Sequence, residues 1–108
     1  MNVIKVNGMY KSSRIAGPKH NYLGLILVSS PPENIRIVQR TVKGDESRQI
    51  DESKLLLGVS EGLSQGNRES GGLLYIECIE YVPSDTPDYK AYIELAKTIV
   101  QSASSDFA

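Results

Sequence analysis

Apolar residues recur along this chain with two different periods, and the change from one to the other marks out its elements. Val3, Ile4 and Val6, followed by Gly8, predict a short first strand running from Asn2 to about Tyr10. Lys11 to Asn21 reads KSSRIAGPKHN, with Gly17-Pro18 as a breaker, and predicts an exposed loop or a flexible hairpin tip. Tyr22 to Ser29 is aliphatic on both alternating faces, as suits an inner strand covered on part of both sides. Gly24 within it marks a bulge or a close backbone approach. Ser30-Pro31-Pro32-Glu33 cannot continue a sheet, because the two prolines supply no amide donor. From Asn34 to Val42 the chain alternates again, with Ile35 and Ile37 on one face and Arg36, Val38, Arg40 and Val42 on the other.

The period then lengthens. Asp51 can cap a helix in which Leu56, Val59 and Leu63 make one apolar stripe, and Gly66-Asn67 supplies the expected stop. Gly58, Gly62 and Gly66 lie on one line of that helix; each interior glycine costs about 1 kcal/mol relative to alanine, so this line is expected to meet another backbone. Gly71-Gly72 release the chain into Leu73 to Val82, with Leu74, Ile76 and Cys78 facing the core and Tyr75, Glu77, Ile79 and Tyr81 opposite. After a turn at Pro83-Ser84-Asp85, Thr86 as cap, Pro87 at the first helical position and Asp88 against the dipole predict a second helix. Tyr89, Tyr92, Ile93, Ala96, Ile99, Val100 and Ala103 form its buried stripe. Ser104 to Ala108 are expected to fray. The order β-β-β-α-β-α implies an α+β two-layer sandwich over residues 1–103, a four-stranded mixed sheet with both helices on one face.

Composition narrows the class. At 108 residues, 40% hydrophobic and 23% charged, the chain is the size and kind of one globular domain. A single cysteine, Cys78, excludes an internal disulfide and a cysteine-based zinc site, and fits a reducing compartment. With no signal-peptide core at the N-terminus and no apolar run long enough to span a bilayer, the expectation is a cytoplasmic protein without a membrane partner. The net charge of −1 hides an asymmetry: residues 1–50 hold eight Lys/Arg against three acids, and residues 51–108 hold four against ten. The first half could therefore present a basic, phosphate-meeting surface, or basic strands could simply neighbour acidic helices.

Candidate chemistry is sparse. His20 is the only histidine, and no nucleophile elbow or glycine-framed serine accompanies it, so no catalytic residue, metal site or cofactor is expected. Tyr75, Ile79 and Tyr81, outward on the fifth apolar run, could form a homodimer or protein-partner interface on the sheet face that a two-layer sandwich leaves uncovered, or pair across strands within the sheet.

Several stretches, in order, resemble domain IV of translational GTPases of the elongation factor G and tetracycline-resistance ribosomal-protection type. They are Gly8-Met9-Tyr10-Lys11, Gly17-Pro18-Lys19-His20-Asn21-Tyr22, Pro31-Pro32-Glu33, Val59-Ser60-Glu61-Gly62-Leu63, Gly71-Gly72-Leu73 and Ser84-Asp85-Thr86-Pro87-Asp88-Tyr89. The segment between Gly62 and Gly72 is shorter than in that family, the last tip loop lacks a histidine often found there, and no GxxxxGK[ST] phosphate loop is present. The resemblance implies a detached domain, or a fragment of a larger factor, that contacts ribosomal RNA or another structured RNA through a tip made by Lys11–Asn21 and Pro83–Asp88. Lys11, Arg14, Lys19, His20, Arg36 and Arg40 are the RNA-binding candidates, and a non-enzymatic binding domain is the expectation. A protein-interaction module using the open sheet face is the alternative.

Overall fold

A computed structural model describes residues 2–107, so Met1 and Ala108, at the ends of the expected domain and tail, lie outside the described residues. Strands β1 (Ile4–Val6), β2 (Met9–Ala16), β3 (Lys19–Val28) and β4 (Arg36–Gln39) precede helix α1 (Glu52–Ser70); strand β5 (Tyr75–Tyr81) and helix α2 (Tyr89–Ala103) follow. The sheet order is β1-β2-β3-β5-β4, antiparallel except where β4 runs parallel to β5. The α+β sandwich with two helices on one face is therefore present, with five strands in place of four. The extra strand arises at Asn7-Gly8. Both residues have positive φ, 51° and 81°, the conformation of a type I′ hairpin turn, so the run expected as one strand folds back on itself. Among the described residues no helix is long and apolar enough to cross a membrane.

Of the two readings of Lys11 to Asn21, loop or hairpin tip, the segment is a hairpin and mostly strand: β2 and β3 pair from Tyr10↔Leu25 to Ala16↔Lys19, and only Gly17-Pro18 turns. The strand expected from Asn34 to Val42 shortens to Arg36–Gln39, whose Ile37 packs on the core. A second correction concerns β5. Ile26 pairs with Cys78 but Leu27 with Ile76, so Glu77 is an extra residue in a bulge, and the residues on either side of it change faces. Ile76, Ile79 and Tyr81 all enter the core with Leu23, Leu25 and Leu27, whereas Cys78 and Glu80 lie on the other face with Gly24. Ile79 and Tyr81, expected as interface residues, are buried for this reason. Tyr75 is half-buried at the end of the strand.

Asp51 caps α1 as expected, accepting from the Ser53 and Lys54 amides at 2.9 and 3.3 Å. The helix does not stop at Gly66-Asn67. It continues to Ser70 and ends on Gly71 in the left-handed region, while the Asn67 side chain brackets the Leu74 backbone, accepting from its amide at 2.9 Å and donating to its carbonyl at 3.0 Å. Helix α2 starts two residues later than expected, with Asp88 at the cap position but no side-chain cap bond. Ser104–Phe107, expected to fray, form a 3₁₀ turn in which Asp106 accepts from the Tyr10 hydroxyl at 2.6 Å and pairs with Lys5 at 3.8 Å.

The glycine line of α1 lies against α2. A Cβ on Gly62 would clash with the Ile93 carbonyl and come within 2.6 Å of the Ala96 Cβ, and one on Gly66 would reach the Val100 Cβ at 2.7 Å. Close backbone approach outweighs the lost helix propensity here, and Leu55 and Val59 are thereby lowered into the core beside Leu95 and Ile99. Gly62→Ala is expected to destabilise the domain by about 2–3 kcal/mol despite its better propensity. Gly58→Ala, whose Cβ would stand 3.2 Å from the Tyr89 carbonyl, should change stability by under about 1 kcal/mol. Urea midpoints of the two variants test this; equal effects would contradict the packing account.

Candidate nucleic-acid interface

Alternation along the strands sorts the basic residues by face. Lys11 pairs with Gly24, Arg36 with Cys78, and Val38 with Glu80, all on the side away from the helices. Arg40, just beyond β4 and bonded by its amide to the Tyr81 carbonyl, lays its guanidinium 5.1 Å from the centre of the Tyr22 ring on that same side. His20 stands two residues before Tyr22 and so shares its side of β3. Four of the six candidates, from β2, β3, β4 and the residue just beyond β4, thus share the open face. Arg14 and Lys19 do not. They lie on the opposite side of the hairpin tip, around a hollow of about 210 Å³ lined with Ala16, Asn21 and Asp88.

Tyr22 organises the middle of the open face. Its ring lies beside Gly24, where an added Cβ would stand 2.7 Å from the Met9 sulfur and 3.0 Å from the Tyr22 hydroxyl. That close approach, not a bulge, is the reason for glycine at position 24. The Tyr22 hydroxyl donates to Glu80, which also pairs with Lys11 at 3.9 Å. Burial, then the Glu80 carboxylate, push the Tyr22 hydroxyl up to about 12, against the pull of Arg40. Tyr22 as a whole is only 6% exposed, so its ring is no platform for base stacking. Next to it, Lys11, Ser13, Arg40 and Ile4 line a hollow of about 440 Å³.

The tip is built by two segments far apart in sequence. Asp85 is buried and accepts from the Tyr22 amide at 2.7 Å, while its other oxygen meets His20 Nδ1 at 2.9 Å. The Thr86 amide donates to the His20 carbonyl at 3.1 Å, the His20 amide donates to the Thr86 hydroxyl at 3.2 Å, and Asn21 donates to the Thr86 carbonyl at 2.7 Å. The family resemblance implied that Lys11–Asn21 and Pro83–Asp88 lie together at one end, and His20–Tyr22 are joined there to Asp85 and Thr86. Asp85 and Thr86, expected as turn and cap residues, serve β3 instead. Polar residues confined between two prolines, where a single helix cap would suffice, were the one available signal.

Acids temper the basic charge. Lys11 is paired with Glu80, His20 with Asp85, and Lys19 with Asp88 at 3.6 Å. Among the described residues no carboxylate lies within ion-pairing distance of Arg14, Arg36 or Arg40. Of the six candidates, these three arginines are the ones left free to meet an outside anion. Neither a family model nor a curated protein matches the chain.

Burial pushes up the hydroxyls of Tyr22, Tyr81 and Tyr92, and together these set the alkaline limit of the fold. Tyr22 and Tyr81 are both pushed up to about 12, mainly by burial and then by the carboxylates of Glu80 and Glu52. Raised values mean the folded state holds these protons longer than the unfolded chain does, so stability is full below about pH 10 and declines as pH rises toward about 12. Tyr22→Phe is expected to make that decline shallower in thermal melts across this range. An unchanged decline would show that Tyr22 is not held as described.

Proposed function

We propose that this chain is a binding domain for structured RNA, gripping the phosphate backbone with its open sheet face and hairpin tip. The observation that carries the reading is that Lys11, His20, Arg36 and Arg40 all lie on one uncovered face, beside a tip fixed by Asp85. Arg14 and Lys19 extend the cationic surface around the end of the hairpin. With the Tyr22 ring covered, the face offers charge without stacking, which suits a duplex or folded RNA better than single-stranded bases. The resemblance to the ribosome-contacting domain IV of elongation factor G points the same way. Ribosomal RNA is accordingly the first substrate to test, and the role is that of a cytoplasmic, non-enzymatic contact domain.

Binding of a labelled stem-loop from small-subunit ribosomal RNA should weaken steeply with salt. Arg14→Ala with Lys19→Ala, and separately Arg36→Ala with Arg40→Ala, should each lower affinity roughly tenfold and flatten the log–log salt slope by one to two, at about 0.7–0.9 per phosphate contact. No binding at low salt, or affinity indifferent to both pairs, would overturn the proposal.

A second reading rests on a different observation. Ile4, Val6, Ile15 and Val38, all on the open face by register, are 58, 42, 72 and 37% exposed, and apolar side chains so grouped can mark a homodimer or protein contact. Val6→Asp or Val38→Asp would then abolish a concentration-dependent dimer in sedimentation measurements; a monomer at all concentrations would remove the homodimer. Ile79→Asp would instead unfold the core.

A further inference from the structure

His20 and Asp85 form a pair that the turn itself does not require. Asp85 is 5% exposed and already holds the Tyr22 amide, which suffices to fasten the loop to β3. Its remaining oxygen faces His20 Nδ1 at 2.9 Å. A carboxylate only accepts, so Nδ1 carries the hydrogen and the ring has one orientation. The His20 side chain is nevertheless 51% exposed, which leaves Nε2 as the ring nitrogen available to a ligand.

A neutral imidazole held in this way offers a lone pair at Nε2 and cannot bond a phosphate oxygen. A protonated one offers an N–H and a positive charge. We propose that His20 is a phosphate-binding residue that engages RNA only when Nε2 is protonated, and that Asp85 is the positioning residue that turns Nε2 outwards. This rests on the RNA reading above and adds to it the atom that makes the contact and the condition under which it does so.

The charged surroundings of the ring are few. From the loop before α2 come Asp85, in contact, and Asp88, which is engaged by Lys19. On its own strand the neighbours are Lys19 and Tyr22. From β2 the cross-strand partner is the uncharged Ile15, with Arg14 on the far side of the hairpin. Along the open face Arg40 covers the Tyr22 ring, and Glu80 is occupied by the Tyr22 hydroxyl and Lys11. An anion arriving at Nε2 would add to the set formed by Arg40 and Lys11. The sign follows from the donor: the contact needs a proton at Nε2, so it is favoured at lower pH.

Fluorescence anisotropy with the same ribosomal stem-loop, at about pH 5.5 and pH 8, tests the proposal. The wild type should bind roughly fivefold to tenfold more tightly at the lower pH, with a log–log salt slope steeper by a little under one. In His20→Gln the pH ratio should shrink to about twofold or less, the affinity at high pH staying near wild type. Asp85→Asn, checked for folding by its circular dichroism, should reduce the ratio as well, because an amide no longer selects one ring orientation. Arg14→Ala should weaken binding at both pH values and keep the ratio. If His20→Gln keeps the full wild-type ratio, the role given to His20 is wrong while RNA binding stands. If no protein binds at either pH, the RNA reading falls and this contact falls with it.

Discussion

The carboxylate of Asp85 fastens the two halves of the chain to one another. It sits out of water, accepts from the Tyr22 backbone and from His20, and is flanked by three further hydrogen bonds between Thr86 and the start of β3. Hydrogen bonds to a charged group are worth about 1.5–3 kcal/mol each, and a buried carboxylate without them would cost more than it returns. The hairpin end of β2 and β3 therefore cannot move independently of the entry to α2. A projecting β-hairpin, normally the most mobile part of a small domain, becomes here a fixed support for cationic side chains.

The rest of the architecture decides which face those side chains occupy. The glycine line on α1 lets the two helices approach closely, so that Leu55 and Val59 from one and Leu95 and Ile99 from the other share a core with Leu23, Leu25, Ile79 and Tyr81. All of the helical cover is used on that side of the sheet. The opposite face protects itself locally: Met9 and Tyr22 pack over Gly24, and Arg40 covers the Tyr22 ring. Such a face is closed enough to keep Cys78 buried and open enough to expose Arg36 and several aliphatic side chains.

The elements whose identity depends on a single face were readable in sequence. The α2 stripe from Tyr92 to Ala103, the Asp51 cap and the purpose of the α1 glycines follow from spacing alone. What spacing could not convey is where a period is broken. One extra residue at Glu77 exchanges the faces of β5, and so Ile79 and Tyr81, outward by strict alternation, are core. Alternation likewise runs through Asn7-Gly8, although that dipeptide is a strong hairpin signal, and a glycine beside asparagine at position 66 resembles a helix end when Asn67 in fact reaches forward to Leu74. At the candidate site the six basic residues were legible from charge and from the family resemblance. Their acidic partners were not, since Glu80, Asp85 and Asp88 come from the other half of the chain and only the fold brings them near.

If the proposed RNA-binding face exists, steadied by Asp85, it should leave a recognisable footprint on titration with RNA. The most direct measurement is amide and side-chain chemical-shift mapping of the domain titrated with a ribosomal RNA stem-loop. The account requires the largest changes at Lys11, His20, Arg36, Arg40 and the Arg14–Lys19 tip, with the exposed sides of α1 and α2 silent. Changes confined to the helices, or none at saturating RNA, would contradict it.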